Sequence, residues 1–343
     1  MIEIGFEFCS EKISGKGEDA PPIRHKFEDN AWVLLVCDGM GGAGSIPYAS
    51  CDGKTGAKIG AESVAAWAKG FFEAIPDVRP RLLDEQLASE FHAEIAVKLK
   101  CAADELDSQE TTQSKLRSKL HKRLPTTLAC ITLAVEQKEL RAQAIWAGDS
   151  RCFCMTSDDG LQQLSVDDQK QLCDPFESLS LDPQMSNYVN ADTEFIFNSA
   201  RFGLPLPAVL LVATDGCFQY VETPAHFEEL LLSSLAQAAS TEEWSSLLSQ
   251  RIEAVTGDDA SMSLQAVGWT SFESLKSAFA VRRNQLSDVM HASESAPVQG
   301  ELFEPENHNF ARRYRREQLW QAYKKGYSAR MPVKIEEGDH AVS

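Results

Sequence analysis

Ala31-Trp-Val-Leu-Leu-Val-Cys-Asp38-Gly39-Met40-Gly41-Gly42 is an unbroken apolar run that ends on an aspartate and a glycine-rich turn. Its length and β-branched content read as a buried strand that delivers a carboxylate at its end. Three more stretches share the design. Arg141-Ala-Gln-Ala-Ile-Trp-Ala ends on Gly148-Asp149, and Ala208-Val-Leu-Leu-Val-Ala-Thr ends on Asp215-Gly216. Gly257-Asp258-Asp259 opens Ala260-Ser-Met-Ser-Leu-Gln-Ala-Val267. Strands that each present an acid at one end can gather negative charge around one point. Such a cluster is untenable without cations, and hard divalent metals with oxygen ligands are the usual resolution.

The pattern around these runs is α+β. Strands are expected at 2–9, 31–37, 127–135, 139–147, 151–156, 161–164, 194–198, 208–214 and 261–268. Helices are expected at 55–75, at about 81–122 with a break near Asp107, and at 224–238 and 241–254. Leu83, Leu87, Phe91, Ile95 and Leu99 follow one another at i+4 steps in the second of these. Residues 165–194 have no clear period and read as a loop or flap. Blocks of antiparallel strands set apart from blocks of helices indicate layered α+β architecture rather than an alternating parallel sheet. A compact domain over 1–269 is expected, then a C-terminal extension over 270–343. In that extension 270–290 reads as helix, 291–309 as linker and 310–328 as a basic, aromatic helix.

The chain has 343 residues, 43% of them hydrophobic and 24% charged, which is ordinary for a soluble globular protein. No apolar stretch reaches the roughly 20 residues needed to span a bilayer, so neither a membrane segment nor a signal peptide is read. The formal charge of −18 opposes general affinity for nucleic acid. Nine scattered cysteines without a CxxC pair fit reduced thiols in a cytoplasm better than disulfides or structural zinc. Charge is unevenly spread: Arg312 to Lys334 holds eight Lys/Arg and a single acid, Glu317.

Hydrolysis of a phosphate ester needs a nucleophilic water, neutralised phosphoryl charge and a protonated leaving group. Two divalent ions about 3.5–4 Å apart supply the first two. Such sites need one carboxylate able to bridge both ions and a few flanking oxygens. Asp38 suits the bridge, with Gly39 free to bring its carbonyl near an ion. Glu18, Asp19, Asp215 and Asp259 are the natural remaining oxygens. Each motif alone is weak, since Asp-Gly after a strand is usually a turn.

Taken together and in order, the motifs resemble the metal-dependent protein serine/threonine phosphatases of the PPM (protein phosphatase 2C) type over about residues 5–268. The marks are Gly17-Glu18-Asp19-Ala20, Asp38-Gly39-Met40-Gly41-Gly42, Pro125-Thr126-Thr127-Leu128, Gly148-Asp149-Ser150-Arg151, Leu164-Ser165-Val166-Asp167-Asp168-Gln169, Ala213-Thr214-Asp215-Gly216 and Asp258-Asp259-Ala260-Ser261. The Asp-Gly-Met-Gly-Gly form is more typical of bacterial members. The resemblance implies a four-layer α-β-β-α sandwich of two antiparallel sheets flanked by helices, with two Mn²⁺ or Mg²⁺ ions in a cleft at the sheet ends. It implies that Asp38 bridges the ions, that Asp215 and Asp259 complete the first, and that Glu18 and the Gly39 carbonyl serve the second. Asp19 would act through water, Asp149 would help hold a third, weaker ion, and 165–194 would be the variable flap. The implied substrate is a phosphorylated protein, with a cognate Ser/Thr kinase or its target as partner.

Four departures stand out. Ser14 occupies the place of the family's phosphate-binding Arg, leaving Lys16 or, second, Arg24 to supply charge without the planar fork at that position. Gln219 replaces an acid that supports the third ion. Ala260 stands where Asn is common. No histidine lies beside Asp38 to act as general acid. An alternative therefore stays open, a phosphatase-like binding or regulatory module with little turnover. For the helix at 310–328, Trp320, Tyr323 and Tyr327 fall on one face; it either docks on the acidic domain or binds a partner.

Overall fold

The computed structural model describes residues 3–27, 30–109, 121–136, 139–170, 174–179, 184–295 and 308–333. Ten strands form two five-stranded antiparallel sheets. The first has the order β1 (Ile4–Ser10), β10 (Ala260–Val267), β9 (Ala208–Ala213), β6 (Arg151–Thr156), β7 (Gly160–Gln163). The second runs β2 (Ile23–Phe27), β3 (Ala31–Val36), β4 (Leu128–Glu136), β5 (Glu139–Ala147), β8 (Asn198–Pro205). Helices cover both outer faces, which is the four-layer sandwich expected from the sequence.

The quoted strand shows why the layers form. Along β3 every residue is buried, so the period of two divides it between two cores instead of core and solvent. Trp32, Leu34 and Val36 point between the sheets. Ala31, Val33, Leu35 and Cys37 pack outward against α2 (Gly56–Glu73) and α4 (Leu87–Gln109). Strand β9 divides likewise: Leu210 and Val212 face the other sheet, and Val209 and Leu211 face the opposite helical layer. That layer holds α5 (Pro224–Gln237), α6 (Thr241–Glu253), α7 (Phe272–Glu294) and α8 (His308–Tyr327). Short helices α1 (Gly41–Gly44) and α3 (Val78–Arg81) complete the set. Cys152 and Cys154, one face of β6, both lie in the inter-sheet core.

Register gathers the acid-bearing ends. Val36 pairs with Ala129 and Leu128 with Ala147. Ala213 pairs with both Met262 and Arg151, and Ser10 with Ala260. The C-terminal ends of β1, β3, β5 and β9 and the N-terminal ends of β6 and β10 thus share one edge of the sandwich.

Some expectations are corrected. Strand β2 is absent from the sequence reading because Ile23-Arg-His-Lys-Phe carries an edge strand's charges. The strand expected at 194–198 is β8, at Asn198–Pro205. It is a half-exposed edge whose Gly203 and Pro205 resemble turn signals. The helix expected from about Arg81 begins at Leu87, because Asp84 closes a turn by accepting Gln86 N–H at 2.9 Å. The expected break near Asp107 has no counterpart up to Gln109, and 110–120 lie outside the described residues. Helix α7 runs on to Glu294, past the expected 290, and most of the expected linker also lies outside them.

The aromatic face of α8 is packed. Leu319, Trp320, Tyr323 and Tyr327 are buried in the core under α5, α7 and the first sheet. Tyr323 O–H donates to the fully buried Glu228 at 2.5 Å, where Arg282 also binds at 2.7 and 2.8 Å. Tyr327 O–H donates to Gln163 at 2.9 Å.

Candidate active site

The site starts from the end of β3. Thr126, just before β4, donates from its hydroxyl to the Asp38 carbonyl at 2.7 Å, and Thr127 N–H reaches the same oxygen at 2.8 Å. Across the turn Cys37 C=O accepts Ala20 N–H at 3.0 Å. These bonds hold the Glu18-Asp19 segment against the Asp38 turn. Backbone leaves room only for glycine at 39, and a side chain at 41 would displace the Glu18 carboxylate. A Cβ on Gly39 would lie 2.4 Å from the Glu18 carbonyl, and one on Gly41 would lie 1.9 Å from Glu18 Oε2. Glu18 Oε1 accepts the hydroxyl of Thr55, the N-cap of α2, at 2.5 Å.

Asp38 sits at the centre of the acids. Burial first, then the charges of Asp19, Asp215, Asp149 and Asp258, push its carboxyl well above the usual range. Asp19 is buried, accepts Thr214 Oγ1 at 3.0 Å, and is raised to about 7 by burial against the opposing hydrogen bond of Thr214. Asp215 is raised to about 7 by burial and by the charges of Asp258 and Asp19. Asp149, on the Gly148 turn where φ is +102°, is raised by burial and then by Asp215 and Asp167. Its Oδ1 is buried without a hydrogen-bond partner among the described residues.

Two lysines lie nearby. Lys58 donates to the Asp19 carbonyl at 2.9 Å and its charge acts on Glu18. Lys12 donates to the Thr256 carbonyl at 2.6 Å. Neither forms an ion pair with Asp38, Asp149 or Asp215 among the described residues. The carboxylates repel one another and one of their oxygens is orphaned, so the donor set suits hard cations. No three of the described acidic, Cys or His side chains form a ready-made cage for one ion.

The sequence-predicted residues do not all play alike. Asp259 is occupied: Oδ1 accepts Lys12 N–H at 2.8 Å and Oδ2 accepts Glu18 N–H at 2.6 Å. The acid beside it, Asp258, is the one whose charge acts on Asp38 and Asp215. Lys16 is exposed and its side chain makes no ion pair among the described residues. Arg24 is held by Glu7 at 3.0 Å, Glu3 at 2.5 Å and Gln265 at 3.1 Å, away from the acids. Gln219 donates to Ser178 C=O at 2.7 Å. Lys58 carries no sequence signal beyond its place three residues after a helix-capping Thr.

A family model described as Protein phosphatase 2C matches residues 18–255. The chain belongs to the protein phosphatase 2C family. Family membership makes it a hydrolase of the protein serine/threonine phosphatase class. Solved structures share the fold. A bacterial serine phosphatase is 18% identical with a TM-score of 0.56, the match covering 79% of this chain and 100% of that one. The serine/threonine phosphatase Stp1 from Staphylococcus aureus is 18% identical at TM-score 0.56, over 78% of this chain and 96% of its own. The Mycobacterium tuberculosis serine/threonine phosphatase PstP/Ppp is 14% identical at TM-score 0.53, over 78% and 100%. A search of curated proteins finds no match. Against the phosphatase 2C pattern, this chain keeps the acids at the sheet edge and lacks an arginine at position 14.

Proposed function

We propose that this chain is a Mn²⁺- or Mg²⁺-dependent phosphatase that removes phosphate from serine or threonine of a phosphorylated protein, opposing a kinase in a cytoplasmic signalling system. One observation carries the reading: the strand register brings Asp38, Asp149 and Asp215 to one edge of the sandwich with Asp19 held beside them, and the charges of Asp19, Asp215 and Asp149 push the Asp38 carboxyl up. Two divalent ions, when bound, supply an activated water and neutralise phosphoryl charge.

The chain's own residues then divide the work. Asp38, Asp215, Glu18 and the Gly39 carbonyl are the oxygens that would hold those ions. Asp258 would complete the first side, since its charge acts on both Asp38 and Asp215, while the backbone N–H groups of Lys12 and Glu18 draw Asp259 toward the 12–18 loop. Asp259 instead positions Glu18. Asp19 would orient water through its buried carboxyl, and Asp149, with its orphaned oxygen, would help hold a third, weaker ion. Lys58 supplies positive charge beside the substrate phosphate in place of the missing arginine; Lys16, facing solvent, is the weaker candidate.

Purified protein with Mn²⁺ should hydrolyse p-nitrophenyl phosphate and a phosphothreonine peptide, and Asp38→Ala should abolish both. A folded protein with no Mn²⁺-dependent turnover on any phosphopeptide would favour the binding-module reading. That alternative draws on the empty arginine position and on Arg24 being tied to Glu3 and Glu7. A strong preference for small phosphorylated metabolites would replace the protein substrate.

A further inference from the structure

The turn 174–179 touches both loops that carry acids at the far side of the site. Ser178, 1% exposed, accepts Arg151 Nη2 on its hydroxyl at 2.8 Å. Its carbonyl accepts Gln219 Nε2 at 2.7 Å. Arg151 is itself buried, grips Asp167 with two bonds of 2.9 and 2.7 Å, lies 4.4 Å over the Phe218 ring, and follows Asp149 by two residues. Gln219 closes the Asp215 turn, its N–H reaching the Asp215 carbonyl at 2.7 Å. One serine therefore ties the Asp149 loop to the Asp215 loop.

Helix α8 covers this turn from outside. Trp320 stacks on Phe176 with centroids 6.1 Å apart, Arg316 lies 5.6 Å over the same ring, and Lys324 pairs with Asp174. An acid at position 219 would set its charge against the Ser178 carbonyl. The glutamine there has an amide N–H to donate, so a residue that looks like a lost ligand is a retained tether.

We propose that Ser178 is a positioning residue of the metal site, setting the separation of Asp149 and Asp215, and that α8 is the brace that keeps it in place. This rests on the metal-site reading above. The C-terminal extension then acts as part of the catalytic apparatus, since whatever loosens α8 loosens the weakest ion.

The test counts bound Mn²⁺ in the full chain by electron paramagnetic resonance of the free ion, without substrate. Ser178→Ala should weaken the loosest Mn²⁺ about tenfold, the low end for loss of an outer-shell hydrogen bond, with the tighter binding retained. Phe176→Ala, altered only at the brace contact, should do the same and should speed hydrogen exchange in 148–152 and 215–219. Combining Ser178→Ala with Gln219→Ala should cost less than the sum of the two. Isotherms of Ser178→Ala and Phe176→Ala that superimpose on wild type overturn the proposal. So does a uniform loss at every site that follows thermal stability alone. Wild type that binds Mn²⁺ yet hydrolyses no phosphopeptide removes the proposed function and leaves the clamp. Wild type that binds no Mn²⁺ overturns both.

Discussion

Asp258 and Asp259 sit side by side, and substituting each with asparagine separates ligand from scaffold. Asp259 accepts two backbone N–H groups, at 2.8 Å from Lys12 and 2.6 Å from Glu18. Asparagine has one acceptor, so its amide must turn a donor toward the other N–H. A hydrogen bond to a charged group contributes about 1.5–3 kcal/mol. This carboxylate is half-buried, so the cost of Asp259→Asn should fall near the low end, about 2 kcal/mol. At roughly 2 °C per kcal/mol for a domain of this size, the metal-free melting temperature should drop by about 4 °C. Mn²⁺ binding should weaken only indirectly, through a loosened Glu18. Asp258→Asn should behave oppositely. It removes a charge that raises the carboxyls of Asp38 and Asp215, so the metal-free protein should be no less stable. Its gain in melting temperature on adding Mn²⁺ should shrink sharply, because that gain follows RT ln(1 + [L]/Kd). Differential scanning fluorimetry with and without Mn²⁺, paired with calorimetric titration, reads both effects. If Asp259→Asn loses Mn²⁺ at an unchanged metal-free melting temperature while Asp258→Asn binds as wild type, the assignment is reversed.

Three other outcomes follow from the geometry. Gly41→Ala places a Cβ 1.9 Å from Glu18 Oε2; Glu18 must leave Thr55, and Mn²⁺ affinity measured by titration should fall at least about tenfold. Lys58→Ala should raise KM for a phosphothreonine peptide about tenfold or more, the scale of a lost charge-assisted hydrogen bond, whereas Lys16→Ala should leave it within error; steady-state kinetics at saturating Mn²⁺ decides between them. Asp19 and Asp215 have folded-state values of about 7 against an ordinary 3.8. The fold therefore binds their protons more tightly than the unfolded chain does. The metal-free protein should lose stability as pH rises from about 4 to about 7, relative to the Asp19→Asn, Asp215→Asn double variant. Mn²⁺ should oppose that slope, and melting curves in EDTA and in Mn²⁺ across the range show whether it does.

Fold legibility varied with burial. Strands β3 and β9 were plain because both faces are buried, leaving continuous apolar runs. Edge strands β2 and β8 were obscure because half of each faces solvent and carries charge, glycine or proline. Helix α8 showed its aromatic spacing in one dimension, which could not say whether those rings meet this chain or another. The packed core around Trp320 and Tyr327 answered that.

Which residue types stand at the strand ends, and so the class of chemistry, is legible from the chain alone. An aspartate after an apolar run is a local feature, and seven motifs in order left little room for another family. Which group each side chain meets depends on contacts between residues 17 to 247 positions apart in the chain. Asp259 is claimed by the amides of Lys12 and Glu18, Arg24 by Glu3 and Glu7, and Gln219 by Ser178. Hydrogen-bonding groups bind whatever the fold brings within about 3 Å, and only the tertiary structure decided what that was.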